Sequence, residues 1–271
     1  MRGCFGRAQV QPWLDLAWQR LGYDRNDPTT WVQERVHQPW TQGVPVREFA
    51  PDVFAAMCDL CGGEERIYEP YFGDAFIWNF GIGKDQPWQS PQELQSGWHK
   101  DGDFFRHFLD SPEQGLLLIV LFSDVEPRGG GTFLANDSVP RVARFLADRP
   151  EGVGPNEFPF RALKNECREF TEATGKLGDV FLLHPFMLHT ASQNVLGTAR
   201  PITNPLAALK EPMRFNRPDG DYSPVERAIL RGLGVESLDF QPTGSRERIV
   251  PYRDQVQQKM REEEAARLAA V

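Results

Sequence analysis

Two stretches of the 271-residue sequence carry side chains able to bind a metal ion at a usable spacing. In Gly97-Trp98-His99-Lys100-Asp101-Gly102-Asp103, an imidazole and a carboxylate stand two residues apart. In extended backbone such residues point to the same side, so His99 and Asp101 can converge on one point. The second stretch starts from Gly178-Asp179, runs through an apolar segment to His184 and His189, and turns polar at Thr190-Ala191-Ser192-Gln193-Asn194. A histidine from here would complete a set of two imidazoles and one carboxylate, which leaves positions on Fe(II) open for a cosubstrate and O2. Arg200 follows His189 by eleven residues (200 − 189) and leads a further apolar segment. A buried arginine needs an anionic partner, and its planar fork suits a carboxylate bidentately. The dicarboxylate 2-oxoglutarate would supply one, chelating iron through its keto-acid end.

Holding these groups requires short strands. Strand patterns fall at 75–80, just before His99, at 116–122, 132–134, 180–183, 187–190 and 201–209, with a polar loop at 83–97 and a turn at 124–131 that holds three consecutive glycines. Helical patterns lie on both sides, within 7–61 and again from Ser223-Pro224-Val225-Glu226, a capping box with Pro in the first turn and Gly232 as its stop. A charged helix is expected over 254–271. No βαβ alternation and no composition break is present. The expected fold is therefore mainly β with flanking helices, a single domain over 1–271 with a jelly-roll-type barrel at about 75–210.

With His99-Lys100-Asp101, the turn from Asp124 to Gly129-Gly130-Gly131-Thr132, and Gly178-Asp179, His189, Asn194 and Arg200 in this order, the chain resembles the phytanoyl-CoA dioxygenase (PhyH)-like family of Fe(II)/2-oxoglutarate-dependent oxygenases. The resemblance spans about half the chain. It implies a double-stranded β-helix, cupin-like in architecture, with His99, Asp101 and His189 as catalytic iron ligands. Arg200 would bind the distal carboxylate of 2-oxoglutarate, and Thr132 would sit beside it. The spacing to Asn194 and Arg200 favours His189 over His184, which precedes Pro185 and suits packing. The implied reaction oxidises, as a rule hydroxylates, an unactivated C–H bond of a small organic metabolite, with succinate and CO2 as coproducts and O2 as cosubstrate. Trp98 and Phe105 are expected to line an apolar substrate pocket. Two features depart from the family pattern. The hydroxyl many relatives carry two residues after the distal histidine is replaced by Ala191, leaving Thr190, Ser192 or Thr132 to take its place. The usual Pro-Gly-Ser-His after the glycine turn is replaced by Ala135-Asn136-Asp137-Ser138. Asp101 argues against the halogenating variants, which carry Gly or Ala there.

Two other readings use the same jelly roll: a cupin-like metalloprotein without 2-oxoglutarate, and a non-catalytic small-molecule-binding module. A pure binding module has no need of Asp101 and Arg200 together. Asp103 and His107 fit solvated loop positions, and His37 lies outside the matched region. With 30 Lys+Arg against 38 Asp+Glu, the net charge is −8, and no basic run suits nucleic acid. No apolar run approaches the length of a membrane span. Four cysteines make a poor disulfide framework, and Cys58-x-x-Cys61 reads as the end of a helix at Gly62 rather than a redox or zinc pair. A cytoplasmic protein is expected.

Overall fold

The computed structural model describes residues 1–269. In chain order the elements are α1 (Arg7–Leu21), β1 (Arg35–His37), β2 (Gly43–Pro45), α2 (Val46–Phe49), α3 (Pro51–Cys61), β3 (Tyr71–Gly73), β4 (Ile77–Asn79), β5 (Leu116–Leu121) and β6 (Thr132–Ala135). They continue with α4 (Val139–Ala147), α5 (Phe160–Asn165), β7 (Phe170–Ala173), β8 (Val180–Leu183), β9 (Leu188–Ala191), β10 (Arg200–Thr203), β11 (Leu206–Ala207), α6 (Pro224–Leu233) and α7 (Tyr252–Ala269).

The larger sheet runs β1-β4-β10-β5, with β11 continuing on the β10 side of β5 and β8 on its other side, all antiparallel. The central strand β5 is buried at every residue because it is covered on both faces. Its Leu117, Ile119 and Leu121 join Leu134 and Ala173 of the second sheet in one apolar cluster. The intervening Leu116, Leu118 and Val120, with Phe122, belong to the cluster that includes the helices. There Phe122 meets Phe5, Trp13 of α1 and Phe76 at ring separations of 5.5, 6.4 and 4.9 Å.

The second sheet is β7-β6-β9, extended beyond β9 by a single antiparallel bridge between His189 and His99. The glycine turn before β6 lies close to Asn79 and Asn194. A Cβ on Gly130, whose φ is +80°, would stand 2.6 Å from the Asn79 Nδ2. Asn194 in turn donates to the Asn79 and Thr198 carbonyls at 3.0 and 2.7 Å, tying the segment after β9 to the larger sheet.

The architecture corrects three expectations. It is mixed rather than mainly β, since no strand exceeds six residues and the helices hold more of the chain. The six-stranded and three-stranded sheets share an apolar cluster, but they do not close into a barrel among the described residues, and β2 and β3 pair apart from both. The larger sheet also begins at Arg35 rather than near residue 75, because β1 pairs along the free edge of β4. No helix among the described residues is long and apolar enough to cross a membrane.

Candidate metal centre

The isolated bridge between the sheet and the 97–103 segment is the foundation of the site. His99 N–H donates to the His189 carbonyl at 3.0 Å, and His189 N–H donates back at 2.9 Å. Directly opposed residues of an antiparallel pair project on the same side. The two rings accordingly stand 4.4 Å apart, centroid to centroid. Asp101, two residues beyond His99, brings its Oδ1 to 3.3 Å from both Nε2 atoms. These are the only three His, Cys, Asp or Glu side chains among the described residues whose ligand atoms cluster tightly enough to hold a metal ion.

Backbone carbonyls aim the donors. The His99 Nδ1 lies 2.7 Å from the Gly97 carbonyl, and the His189 Nδ1 lies 3.0 Å from the Met187 carbonyl. A proton on each Nδ1 satisfies these contacts and leaves each Nε2 lone pair pointing at the centre. Asn204 donates to Asp101 Oδ2 at 2.8 Å, so Oδ1 is the oxygen left for the histidines or an ion. Burial alone would raise the Asp101 pKa, but His189 and His99 hold it well below the usual carboxylate range. Burial likewise opposes a charge on His99, yet the bond and charge of Asp101 raise its pKa. A carboxylate and two imidazoles that stabilise one another in this way suit a divalent cation, which would take the place of the shared protons.

The triad opens into a cavity of about 440 Å³ between the sheets. Thr132 and Ala191 line it from the smaller sheet, and Ile77, Ile119, Ile202 and Arg200 from the larger one. Arg200 is 2 % exposed, and its Nε and Nη1 are buried without a hydrogen-bond partner. Burial, helped by the neighbouring Arg35, pushes its pKa down to about 9, so it stays charged at neutral pH. An unpaired buried guanidinium is costly. The fit to a carboxylate-bearing ligand lies in this cation, held in the same cavity as the open side of the triad.

The remaining sequence-derived residues sort clearly. Thr132 lies at the cavity wall, whereas Thr190 and Ser192 do not line it. Of the three hydroxyls able to stand in for the one missing at Ala191, Thr132 is the one that reaches the cavity. Trp98 and Phe105, expected to line a substrate pocket, are not among the residues lining the triad cavity, and Trp98 lines a separate one with Gly97 and Phe160. The Trp98 indole donates to the Leu94 carbonyl at 2.8 Å and packs against Phe170, and Phe105 lies buried against His107. His184 is turned away, with Nδ1 accepting from the Phe186 N–H at 3.0 Å and Nε2 lying 3.3 Å from the Val225 carbonyl. Burial pushes its pKa down to about 3. His107 is not a solvated loop residue. It is buried, 2.8 Å from the Lys100 Nζ, and burial with that lysine pushes it down to about 2. All four cysteines are free, and burial raises the thiol pKa of both Cys58 and Cys61, the latter to about 12, as expected of inert helix residues.

Arg35 and His37 on β1, Asn204, and Arg253 and Gln257 on α7 also line the cavity. None lies inside a motif. Arg35 and His37 alternate on one strand face, as His99 and Asp101 do, but a three-residue strand leaves too little pattern to reveal which way it faces.

No protein-family model matches the chain, and no curated protein matches it. Among solved structures it is similar to the non-heme α-ketoglutarate-dependent epimerase SnoN of nogalamycin biosynthesis, crystallised with Fe3+, α-ketoglutarate and nogalamycin RO. That match has 16% identity, 93% of this chain, 90% of that chain and a TM-score of 0.42. It is also similar to HygX from Streptomyces hygroscopicus with nickel and 2-oxoglutarate bound (14% identity, 78% and 82% covered, TM-score 0.40). A third is EctD from S. alaskensis with 2-oxoglutarate and 5-hydroxyectoine (16% identity, 74% and 67% covered, TM-score 0.36). At this level of likeness, the chemistry of the present chain rests on its own residues.

Proposed function

We propose that the chain is a non-heme Fe(II)/2-oxoglutarate-dependent oxygenase with a double-stranded β-helix core of the PhyH-like kind, acting in the cytoplasm on a small organic metabolite. The reaction is oxidation of an unactivated C–H bond, with hydroxylation as its expected outcome and succinate and CO2 as coproducts. The observation that carries this reading is the unpaired, buried Arg200 in the cavity onto which the His99-Asp101-His189 triad opens. Iron, when bound, supplies O2 activation coupled to oxidative decarboxylation of the keto acid.

The protein residues do the rest. His99, Asp101 and His189 hold the ion on one side and leave the cavity side free. Asn204 keeps Asp101 oriented through its second oxygen. Arg200 receives the distal carboxylate of 2-oxoglutarate, with Thr132 beside it as a hydrogen-bond donor. Ile77, Ile119 and Ile202 form the apolar wall that limits water near the reacting carbon.

The test is to add Fe(II) and 2-oxoglutarate to the protein without oxygen and record the visible iron–ketoacid charge-transfer band. The band is expected in the wild type and in His184→Ala, and is expected to vanish in His189→Ala. Arg200→Gln should weaken 2-oxoglutarate on the order of 100-fold, the loss of two charge-assisted hydrogen bonds. A correctly folded, iron-loaded wild type that shows no band would overturn the 2-oxoglutarate mechanism.

A further inference from the structure

The cavity contains a second free guanidinium. Across the larger sheet, Arg35 of β1 and Arg200 of β10 both pair with Asn79 of β4, one from each side. Residues in register across a sheet share a face, so both arginines project into the same cavity, and both line it. Yet the two stand in different surroundings. Arg200 lies in the interior of the sheet, whereas Arg35 stands on the edge strand and is exposed to the cavity. Arg35 makes no ion pair or side-chain hydrogen bond with any described residue. Burial lowers its pKa, and the charge that opposes this is Asp101.

The other basic side chains near the mouth of the triad are already engaged by protein partners. Arg253 of α7 is bound to Asp103 at 2.7 Å. The Lys100 Nζ is turned to the Asp101 carbonyl and to His107, at 3.0 and 2.8 Å. A divalent ion together with Arg200 balances Asp101 together with a 2-oxoglutarate dianion, so Arg35 remains without a counter-charge. His37, two residues along the same strand, registers the resulting field. Burial first, then Arg35, Arg253 and Arg200, push it down to about 4, so it stays neutral and free to accept or donate a hydrogen bond.

We infer that Arg35 binds an anionic group of the organic substrate, so that the metabolite oxidised here carries a carboxylate or a phosphate. The inference builds on the proposed 2-oxoglutarate chemistry, because it assigns Arg200 to the cosubstrate and leaves Arg35 for the substrate. A guanidinium on the cavity wall holds such a group at one end and leaves the rest of the molecule to lie along the isoleucines.

The experiment uses nickel-loaded full-length protein saturated with 2-oxoglutarate and four probes: benzoate and phenyl phosphate against their uncharged counterparts, benzamide and benzyl alcohol. Affinities are read by calorimetry for wild type, Arg35→Gln, Arg35→Lys and Arg200→Gln, with folding checked by circular dichroism. At least one anionic probe is expected to bind tenfold or more tightly than its neutral counterpart. That preference should disappear in Arg35→Gln and return in part in Arg35→Lys. The affinity for 2-oxoglutarate should collapse in Arg200→Gln and move less than threefold in Arg35→Gln. Three results would overturn the inference: equal or absent binding of the anionic probes, a preference that survives Arg35→Gln, or loss of 2-oxoglutarate in Arg35→Gln. Should the wild type fail to bind 2-oxoglutarate, the proposed oxygenase function falls. The same four probes on the nickel protein alone then still decide whether Arg35 selects anions.

Discussion

His184 and His189 lie five residues apart (189 − 184) in very different surroundings. His189 points its Nε2 at Asp101, while His184 has both ring nitrogens occupied by backbone groups near α6. Removing His189 should abolish nickel binding measured by calorimetry, whereas Asn204→Ala should weaken it about tenfold, the usual effect of losing a ligand's outer partner. The consequence of losing His184 is seen instead in pH dependence. Its folded pKa of about 3 lies below the ordinary 6.5, so the unfolded chain takes the proton first. The stability contributed by the neutral ring is therefore complete above pH 6.5 and declines as pH falls from there toward 3. Urea unfolding at pH 7.5 and 5 should show a smaller drop in His184→Gln than in wild type. At this scale the His-x-Asp spacing and the polar stretch after His189 made the triad visible in the sequence. Arg35 and His37 stayed hidden, since their approach depends on pairing with β4, a strand 40 to 44 residues further along (77 − 37 and 79 − 35).

Among the elements, α6 shows how local chemistry and tertiary contacts share a task. Ser223 Oγ accepts from the Glu226 N–H at 3.2 Å, and Glu226 Oε2 accepts from the Ser223 N–H at 2.8 Å, the capping box legible in Ser-Pro-Val-Glu. Glu226 also takes Arg66 at 2.6 Å and the Arg214 N–H at 2.8 Å. Ser223→Ala should cost about 1 kcal/mol in denaturant unfolding. Glu226→Ala, which strands Arg66, should cost about 3–5 kcal/mol. Burial would raise the Glu226 pKa, but Arg66 and two backbone N–H groups bring it down to about 2. Its contribution is thus present above pH 4.5 and is lost as pH falls toward 2. The helix ends at Gly234, with φ +74°, rather than at Gly232, which instead lets α6 approach Pro140 of α4. The expected strand over 201–209 is likewise broken, into β10 and β11, at Asn204-Pro205. The second departure leaves Asn204 outside either strand, where it reaches Asp101.

Across the whole molecule, Arg20 of α1 is 1 % exposed and joins Asp74, between β3 and β4, to Glu264 of α7 at 2.9 and 2.8 Å. Nothing in the surrounding sequence marks this link, because its members come from opposite ends of the chain. Arg20→Met would leave two carboxylates buried without their cation and should cost about 3–5 kcal/mol, lowering the thermal midpoint by roughly 10 °C. The same α7 presents Arg253 and Gln257 to the cavity, so its attachment to α1 also holds one wall of the site. In Arg20→Met, metal binding should persist while protease cleavage within α7 becomes faster.

The triad draws its ligands from two segments joined otherwise by one pair of backbone hydrogen bonds. An ion held there is a reversible cross-link between residues 88 apart (189 − 101), present only while the chain is folded. At a free ion concentration about 100 times the dissociation constant, such linkage adds about 2.7 kcal/mol to stability. Metal supply would then set how readily each molecule unfolds as well as whether its triad is filled.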